Sequence, residues 1–85
     1  MPRRNSLENA QYARNEFGAE IRRLRRGAGL TQGELAARLQ TAGWDVGLDA
    51  LSQIETRKRT LTDSELIRIL RALRVTWDDV KLPKI

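Results

Sequence analysis

The side chains best suited to binding chemistry in this sequence are cations and an amide near its middle. The run Arg57-Lys58-Arg59 offers guanidinium and ammonium groups that bind phosphate oxygens, and Gln53 stands shortly before it. A glutamine amide can both donate and accept hydrogen bonds. Sixteen Lys and Arg against eleven Asp and Glu give the 85 residues a net charge of +5. These charges favour a polyanionic partner.

The inventory of reactive side chains argues against catalysis. The chain contains no histidine and no cysteine, so the usual general base, thiolate nucleophile and zinc ligands are missing. Gly27-Ala28-Gly29 follows no strand pattern and precedes no Gly-Lys-Ser/Thr, so it is not a phosphate-binding loop. Asp78 and Asp79 are adjacent, without further ligands near them in the sequence. We therefore expect no enzyme activity, no cofactor and no metal.

The length and the apolar pattern predict one soluble domain. A chain of 85 residues has room for a single core. No apolar run approaches the roughly 20 residues of a membrane span, and the basic start leads into no secretory signal. We expect a basic disordered arm at residues 1–6, one domain at residues 7–85 and a cytoplasmic location. A membrane-surface role for the arginine-rich first helix is disfavoured, because the core needs its narrow apolar stripe.

Apolar spacing and capping signals predict five helices and no strand. The first helix begins near Leu7 and ends at Gly27-Ala28-Gly29, because glycine accepts the left-handed conformation that ends helices. Capping boxes at Thr31 and Thr62 open the second and fourth helices, with a glutamate three residues after each threonine. A third helix is expected from Leu48 to about Thr56. The inner faces are assigned to Phe17, Ile21, Leu24, Leu35, Ala36, Leu39, Leu51, Ile54, Leu66, Ile69, Leu70 and Leu73.

Aromatic residues flank the predicted third and fourth helices. Trp44 lies in the turn-rich connection before the third helix, where we expect it to cover the core rather than stack on nucleic acid. Thr76 looks like the cap of a short fifth helix that carries Trp77 and Val80 and ends before Pro83. These two residues either pack that helix down or form a dimer contact.

The ordered set of fragments resembles the Cro/CI-type (XRE-like) helix-turn-helix DNA-binding domain over about residues 17–80. The matching residues are Phe17-Gly18, Ile21, Leu24-Arg25, Gly29-Leu30-Thr31-Gln32, Glu34-Leu35-Ala36, Leu51-Ser52-Gln53-Ile54-Glu55, Leu66, Ala72-Leu73, Val75 and Asp79. The resemblance implies an all-α, five-helix, lambda-repressor-like DNA-binding domain with an embedded helix-turn-helix and a lengthened turn. It implies a transcriptional regulator, a repressor, in a prokaryotic cell or encoded by a phage.

The resemblance also assigns roles to individual positions. Base-contacting positions would be Leu48, Asp49, Ala50 and Gln53 on the third helix, in the major groove of double-stranded DNA. Contacts to the DNA backbone would come from Thr31, Gln32, Thr56, Arg57, Lys58 and Arg59. Arg25 and Glu55 match a structural salt bridge that is largely buried in this family. A homodimer is expected, because one such domain reads too few base pairs for useful specificity.

The sequence departs from the family pattern at three points, and the third keeps a second hypothesis open. The turn before the third helix is about five residues longer than the compact version. Arg74 closes the fourth helix where the family usually has glycine, so a left-handed cap there would be strained by about 1 kcal/mol. Leu48 and Asp49 are poor general readers of DNA, because phosphate repels the Asp49 carboxylate unless it accepts from a cytosine N4, and Leu48 offers only a contact with a thymine methyl group. The alternative is an antitoxin or adaptor that uses the fold mainly to bind a protein partner; no small-molecule effector pocket is identifiable.

Overall fold

The computed structural model describes residues 16–81, and every regular element in that range is helical. Four α-helices follow one another as α1 (Gly18–Gly27), α2 (Gln32–Thr41), α3 (Leu48–Glu55) and α4 (Asp63–Leu73). The expectation of an all-α fold is therefore confirmed for this part of the chain. The basic arm at residues 1–6 and the expected helix start at Leu7 lie outside the described residues. None of the helices between residues 16 and 81 combines the length and apolar character needed to cross a membrane.

The short fifth helix expected after Thr76 is present only as a single 3-10 turn over Trp77–Asp79, so a fifth α-helix is not confirmed among residues 16–81. The amide of Asp79 donates to the Thr76 carbonyl at 2.9 Å, and the amide of Val80 donates to the Trp77 carbonyl at 3.1 Å. Thr76 caps this turn, as its position predicts, but Val80 then adopts an extended backbone. Val80 packs against the core from that extended position.

The core is built where the apolar stripes of the four helices meet. α3 packs against α1 and α2, and α4 packs against the same two helices. The buried apolar residues are Ile21, Leu24, Leu35, Ala36, Leu39, Val46, Leu51, Ile54, Leu66, Ile69, Leu70 and Leu73. The stripes predicted from the spacing are thus confirmed, except that Phe17 is half-buried at the edge of the core. Val46, in the α2–α3 connection, is a core residue that the periodicity did not indicate.

Two capping boxes fix where α2 and α4 begin. The Thr31 hydroxyl accepts from the Glu34 amide at 3.1 Å, and the Glu34 carboxylate accepts from the Thr31 amide at 2.8 Å. Thr62 and Glu65 make the equivalent pair of bonds at 3.2 and 3.1 Å. Both boxes confirm the sequence prediction, which is reliable because a capping box involves residues only three positions apart.

All four helices end at a residue with a left-handed backbone, but only two of those residues are glycine. Gly29 and Gly43 have φ angles of 74° and 100°, whereas Arg57 and Arg74 have φ angles of 66° and 61°. In each case the following amide bonds back into the last turn, as Val75 does to the Leu70 carbonyl at 3.0 Å. This is the Schellman geometry, in which a side chain at the left-handed position costs about 1 kcal/mol or more. Helices α3 and α4 therefore carry strain that α1 and α2 avoid.

The segment after α4 is fastened to α1 by polar and aromatic contacts. The Glu20 carboxylate accepts from the Lys81 amide at 2.7 Å and pairs with Arg23 at 2.6 Å. The hydrogen bond from Arg23 lowers the pKa of Glu20, so this carboxylate stays ionised into the acid range. The Trp77 ring meets the Phe17 ring edge-on, with centroids 6.2 Å apart. The 3-10 turn is thereby held beside the first turn of α1.

Replacing Arg74 by glycine is expected to stabilise the domain by about 0.5–1 kcal/mol. Relief of left-handed strain of about 1–2 kcal/mol exceeds the added entropy of glycine in the unfolded chain. The reverse change at an equivalent helix end, Gly29→Ala, should destabilise by about 1 kcal/mol. Urea denaturation of both variants measures these free energies of unfolding. A lower stability of Arg74→Gly would contradict the assignment of strain to this residue.

Candidate nucleic-acid interface

The outer side of α3 is open to solvent while its inner side is fully packed. Leu51 and Ile54 are buried in the core, and Asp49, Gln53 and Thr56 are exposed at positions i, i+4 and i+7. Leu48, at the start of the helix, is 54% exposed. Neither the Trp44 connection nor the segment after α4 covers this stripe within residues 16–81.

The four expected base-contacting residues are therefore not equally accessible. Leu48, Asp49 and Gln53 point outward, whereas Ala50 is half-buried and packs against the core. Asp49 has a local role as well, because the Gly47 N-cap of α3 has no side-chain hydrogen bond. A carboxylate in the first turn stabilises such a helix end through the helix dipole. The choice of an acidic residue at this position is thus partly explained by folding.

A buried ion pair fixes α3 to α1. The Arg25 Nε donates to one Glu55 carboxylate oxygen at 2.7 Å, and a terminal nitrogen donates to the other at 3.0 Å. The two residues are 7% and 3% exposed, and the Glu55 hydrogen bond raises the pKa of the Arg25 guanidinium. The structure thus brings together the two residues that the resemblance assigned to a structural pair.

Two further hydrogen bonds extend this pair to α2. The other terminal nitrogen of Arg25 donates to the Leu30 carbonyl at 2.7 Å, in the loop before α2. The Gln32 amide, in the first turn of α2, donates to Glu55 at 3.1 Å. Gln32 is thus engaged within the protein, where it braces α3. The network fixes the end of α3 relative to α1 and to the start of α2.

The loop after α3 divides the expected phosphate-binding residues into outward and inward groups. Lys58 is exposed, while Arg57 is exposed but pairs with Glu16 at 3.1 Å. Arg59 is half-buried and reaches Glu65 at 3.5 Å, at the start of α4. One terminal nitrogen of Arg59 is buried without a hydrogen-bond partner. Arg59 is therefore directed toward α4 and is less accessible from outside than its two neighbours.

The remaining hydroxyl groups of the expected backbone-contacting set are used inside the protein. The Thr56 hydroxyl donates to the Ser52 carbonyl at 2.9 Å, which closes the last turn of α3. Thr31 is exposed, but its hydroxyl oxygen caps α2. The Thr31 hydroxyl still has its proton to donate, whereas the Thr56 hydroxyl has given its only proton to Ser52 and can otherwise only accept.

The lengthened connection between α2 and α3 is held to the core at several points. It runs over residues 42–47, with Gly43 left-handed and Val46 2% exposed. The Gln40 amide donates to the Val46 carbonyl at 2.8 Å. Trp44 packs against the edge of the core, as expected from the sequence. The additional residues thus supply a core residue at the entry to α3.

The sequence argument against a metal site considered residue types, and the structure shows in addition which acidic side chains lie close together. No group of three or more Asp and Glu side chains that could hold a metal ion occurs among residues 16–81. Glu34, Glu65 and Asp79 instead serve as helix caps, and Glu16, Glu20 and Glu55 pair with arginines.

Removing one member of the buried pair should destabilise the domain strongly. We expect Glu55→Leu to cost about 3–5 kcal/mol, because Arg25 would be left buried without its counter-charge. The double variant Arg25→Met/Glu55→Leu should recover most of that loss, since neither charge then remains inside. Urea denaturation of the two single variants and the double variant gives the coupling energy. Additive losses in the double variant would show that the pair contributes no coupling.

Comparison with known proteins gives one match. No curated protein and no solved structure matches the chain significantly. A family model described as a helix-turn-helix domain matches residues 16–82, a range that contains all four helices, the buried pair and the loop after α3. The match is consistent with the XRE-like resemblance noted in the sequence. The chain belongs to the helix-turn-helix domain family.

Proposed function

We propose that this chain is a sequence-specific DNA-binding transcriptional regulator, a repressor of the Cro/CI type, that inserts α3 into the major groove. The observation that carries the proposal is the open outer stripe of α3, held from behind by the Arg25–Glu55 pair. A helix presented in this way fits the roughly 12 Å width of the major groove. The chain carries a net charge of +5, which favours approach to the phosphates.

Gln53 is the residue that we propose as the main base reader. Its exposed position at the middle of the outer stripe suits a bidentate contact with adenine N6 and N7. Leu48 would contact a thymine methyl group, and Asp49 would accept from a cytosine N4. Ala50 lies closest to the core, and its small side chain would let the helix backbone approach the base edges.

The loop residues after α3 would position the domain on the sugar-phosphate backbone. Lys58 and Arg57 offer cations beside the outer stripe, Thr31 offers a hydroxyl donor, and Thr56 would donate to a phosphate after releasing its bond to the Ser52 carbonyl. Gln32 and Arg59 would contribute after adjustment of their present contacts with Glu55 and Glu65. Contacts of this kind fix the register of the protein without reading sequence.

We further propose that the functional unit is a homodimer. One domain reads too short a site, and a two-fold pair would read half-sites about 34 Å apart or a multiple of that distance. The exposed indole of Trp77, supported edge-on by Phe17, offers apolar surface for such a contact. An isologous dimer would place this surface against its own copy.

A second candidate function is supported by the character of the α3 surface. Leu48 is 54% exposed, and Asp49 places a negative charge beside it. An exposed apolar side chain suits the apolar centre of a protein interface, and the Asp49 carboxylate is repelled by a phosphate-lined groove. An antitoxin or adaptor would use the same helix to bind a protein partner, with weak DNA affinity and no sequence preference.

Selection of bound sites from random duplex DNA with the purified chain tests the proposed function. The regulator predicts enrichment of a two-fold-symmetric consensus, which would also report the dimer. Failure to enrich any sequence would favour the adaptor. Enrichment of an asymmetric, short site would support DNA reading while contradicting the dimer.

Gln53→Ala should reduce the preference for the selected site, while Lys58→Gln should weaken binding to all sequences alike. Loss of a bidentate base contact costs about 1–3 kcal/mol of discrimination and leaves the salt slope unchanged. Loss of a phosphate contact lowers the slope of log affinity against log salt by about 1. Fluorescence anisotropy in a salt series measures both quantities. Arg22→Gln on α1 is the charge-matched control for Lys58→Gln. An equal change of the salt slope in both variants would contradict a phosphate contact by Lys58.

A further inference from the structure

A shallow groove lies between the C-terminal halves of α2 and α4, away from the features used so far. It has a volume of about 380 Å³ and is lined by Ala37, Arg38, Thr41, Arg71, Ala72 and Arg74. The two alanines form a small apolar floor, and the three arginines supply positive charge. None of these lining residues is part of the proposed base-reading stripe.

The positive charge of this groove is not neutralised by neighbouring side chains. No carboxylate is among the lining residues, and the ion pairs within residues 16–81 engage other arginines, namely Arg23, Arg25, Arg57 and Arg59. Arg38 is held in place by a hydrogen bond from one terminal nitrogen to the Ala72 carbonyl at 2.8 Å. Its other guanidinium donors remain available, because an arginine has five N–H groups.

The groove and α3 lie on opposite flanks of α2. On one flank, Gln32 bonds to Glu55 of α3 and Gln40 bonds to the loop that leads into α3. On the other flank, Arg38 bonds to α4. Arg38 is about 200° around the helix axis from Gln40, at about 100° per residue. A duplex seated on α3 would therefore leave the groove accessible.

An apolar side chain stands beside the arginines. Ile67 is 40% exposed and lies on one stripe of α4 with Arg71, at positions i and i+4, while Arg74 follows just after the helix ends. A partner that combines carboxylates with an apolar side chain at helical spacing would match both the charge and the apolar contact. A free inorganic anion would use the arginines and leave Ile67 and the alanine floor uncovered.

We propose that this groove binds an acidic, amphipathic segment of a partner protein. Its carboxylates would pair with Arg38, Arg71 and Arg74, and its apolar residues would cover Ile67 and the alanine floor. Charge complementarity of this kind sets specificity and association rate, and a helix laid into a groove is a recurring mode of peptide recognition. The inference does not depend on the proposed DNA reading, because it concerns another face of the domain.

The test uses the full chain and a fluorescein-labelled helical peptide with glutamate and leucine on one face. Arg71→Gln/Arg74→Gln should weaken peptide binding about fivefold to tenfold, as expected for the loss of two exposed ion pairs. Arg22→Gln/Arg26→Gln on α1 removes the same charge from an exposed helix surface and should change the affinity less than about twofold. A second groove variant, Thr41→Glu, adds a repelling carboxylate without removing any arginine and should weaken binding similarly.

The competing outcomes are separated by two further measurements. A peptide with glutamine in place of glutamate should bind poorly, and the groove variants should retain affinity for the selected DNA duplex. An equal loss of peptide affinity in the α1 control would show that the effect comes from net charge alone, and it would overturn the proposal. A parallel loss of DNA affinity in the groove variants would assign the groove to DNA instead. Absence of measurable binding of the glutamate peptide at low salt would also overturn it.

Discussion

The buried pair between Arg25 and Glu55 is the interaction on which the geometry of this domain depends. It joins α1 to the end of α3, and its two additional bonds reach the Leu30 carbonyl and the Gln32 amide. A short helix has little stability of its own, so α3 is held by what packs behind it. Apolar contacts through Leu51 and Ile54 hold the inner face of α3 against the core, but such contacts do not fix the orientation of the helix. The directional bonds of the ion pair fix the end of α3, and with it the outer stripe and the loop that follows.

The ends of the helices show how so short a chain forms four well-defined segments. Threonine capping boxes begin α2 and α4, and left-handed residues end all four helices. These features satisfy backbone groups that would otherwise lack partners at helix termini. At Arg57 and Arg74 the domain accepts a strained arginine in place of glycine. At Arg57 the strained residue lies in the proposed DNA-contacting loop, where glycine would relieve the strain but remove a cation.

Local features of this fold could be predicted from sequence, whereas contacts between distant residues could not. The capping boxes and the core stripes depend on neighbours within one or two helical turns, so spacing indicated them correctly. The partnership of Arg25 with Glu55 spans thirty positions, and only the family resemblance pointed to it. Val46 stands singly between Asp45 and Gly47 without periodicity, so its burial had no local signal. The inward direction of Arg59 depends on Glu65, which the loop sequence does not reveal.

The distribution of charge gives the domain two different cationic surfaces. One is the loop after α3, where Lys58 and Arg57 stand beside the open stripe of the helix. The other is the groove between α2 and α4, where three arginines face no carboxylate among the lining residues. Because α2 separates the two surfaces, a regulator could bind a duplex and an acidic protein segment at once. The helix-turn-helix would then serve both as a reader of DNA and as a platform for a partner.

We propose that the outer stripe of α3 and the loop after it form the surface that binds DNA. Amide chemical-shift mapping of the ¹⁵N-labelled chain, titrated with the duplex obtained by selection, tests this most directly. Binding through this surface should give the largest shifts at Leu48, Asp49, Gln53 and Lys58, with smaller ones at the start of α2. Largest shifts at Arg71 and Arg74, or along the exposed side of α1, would contradict it.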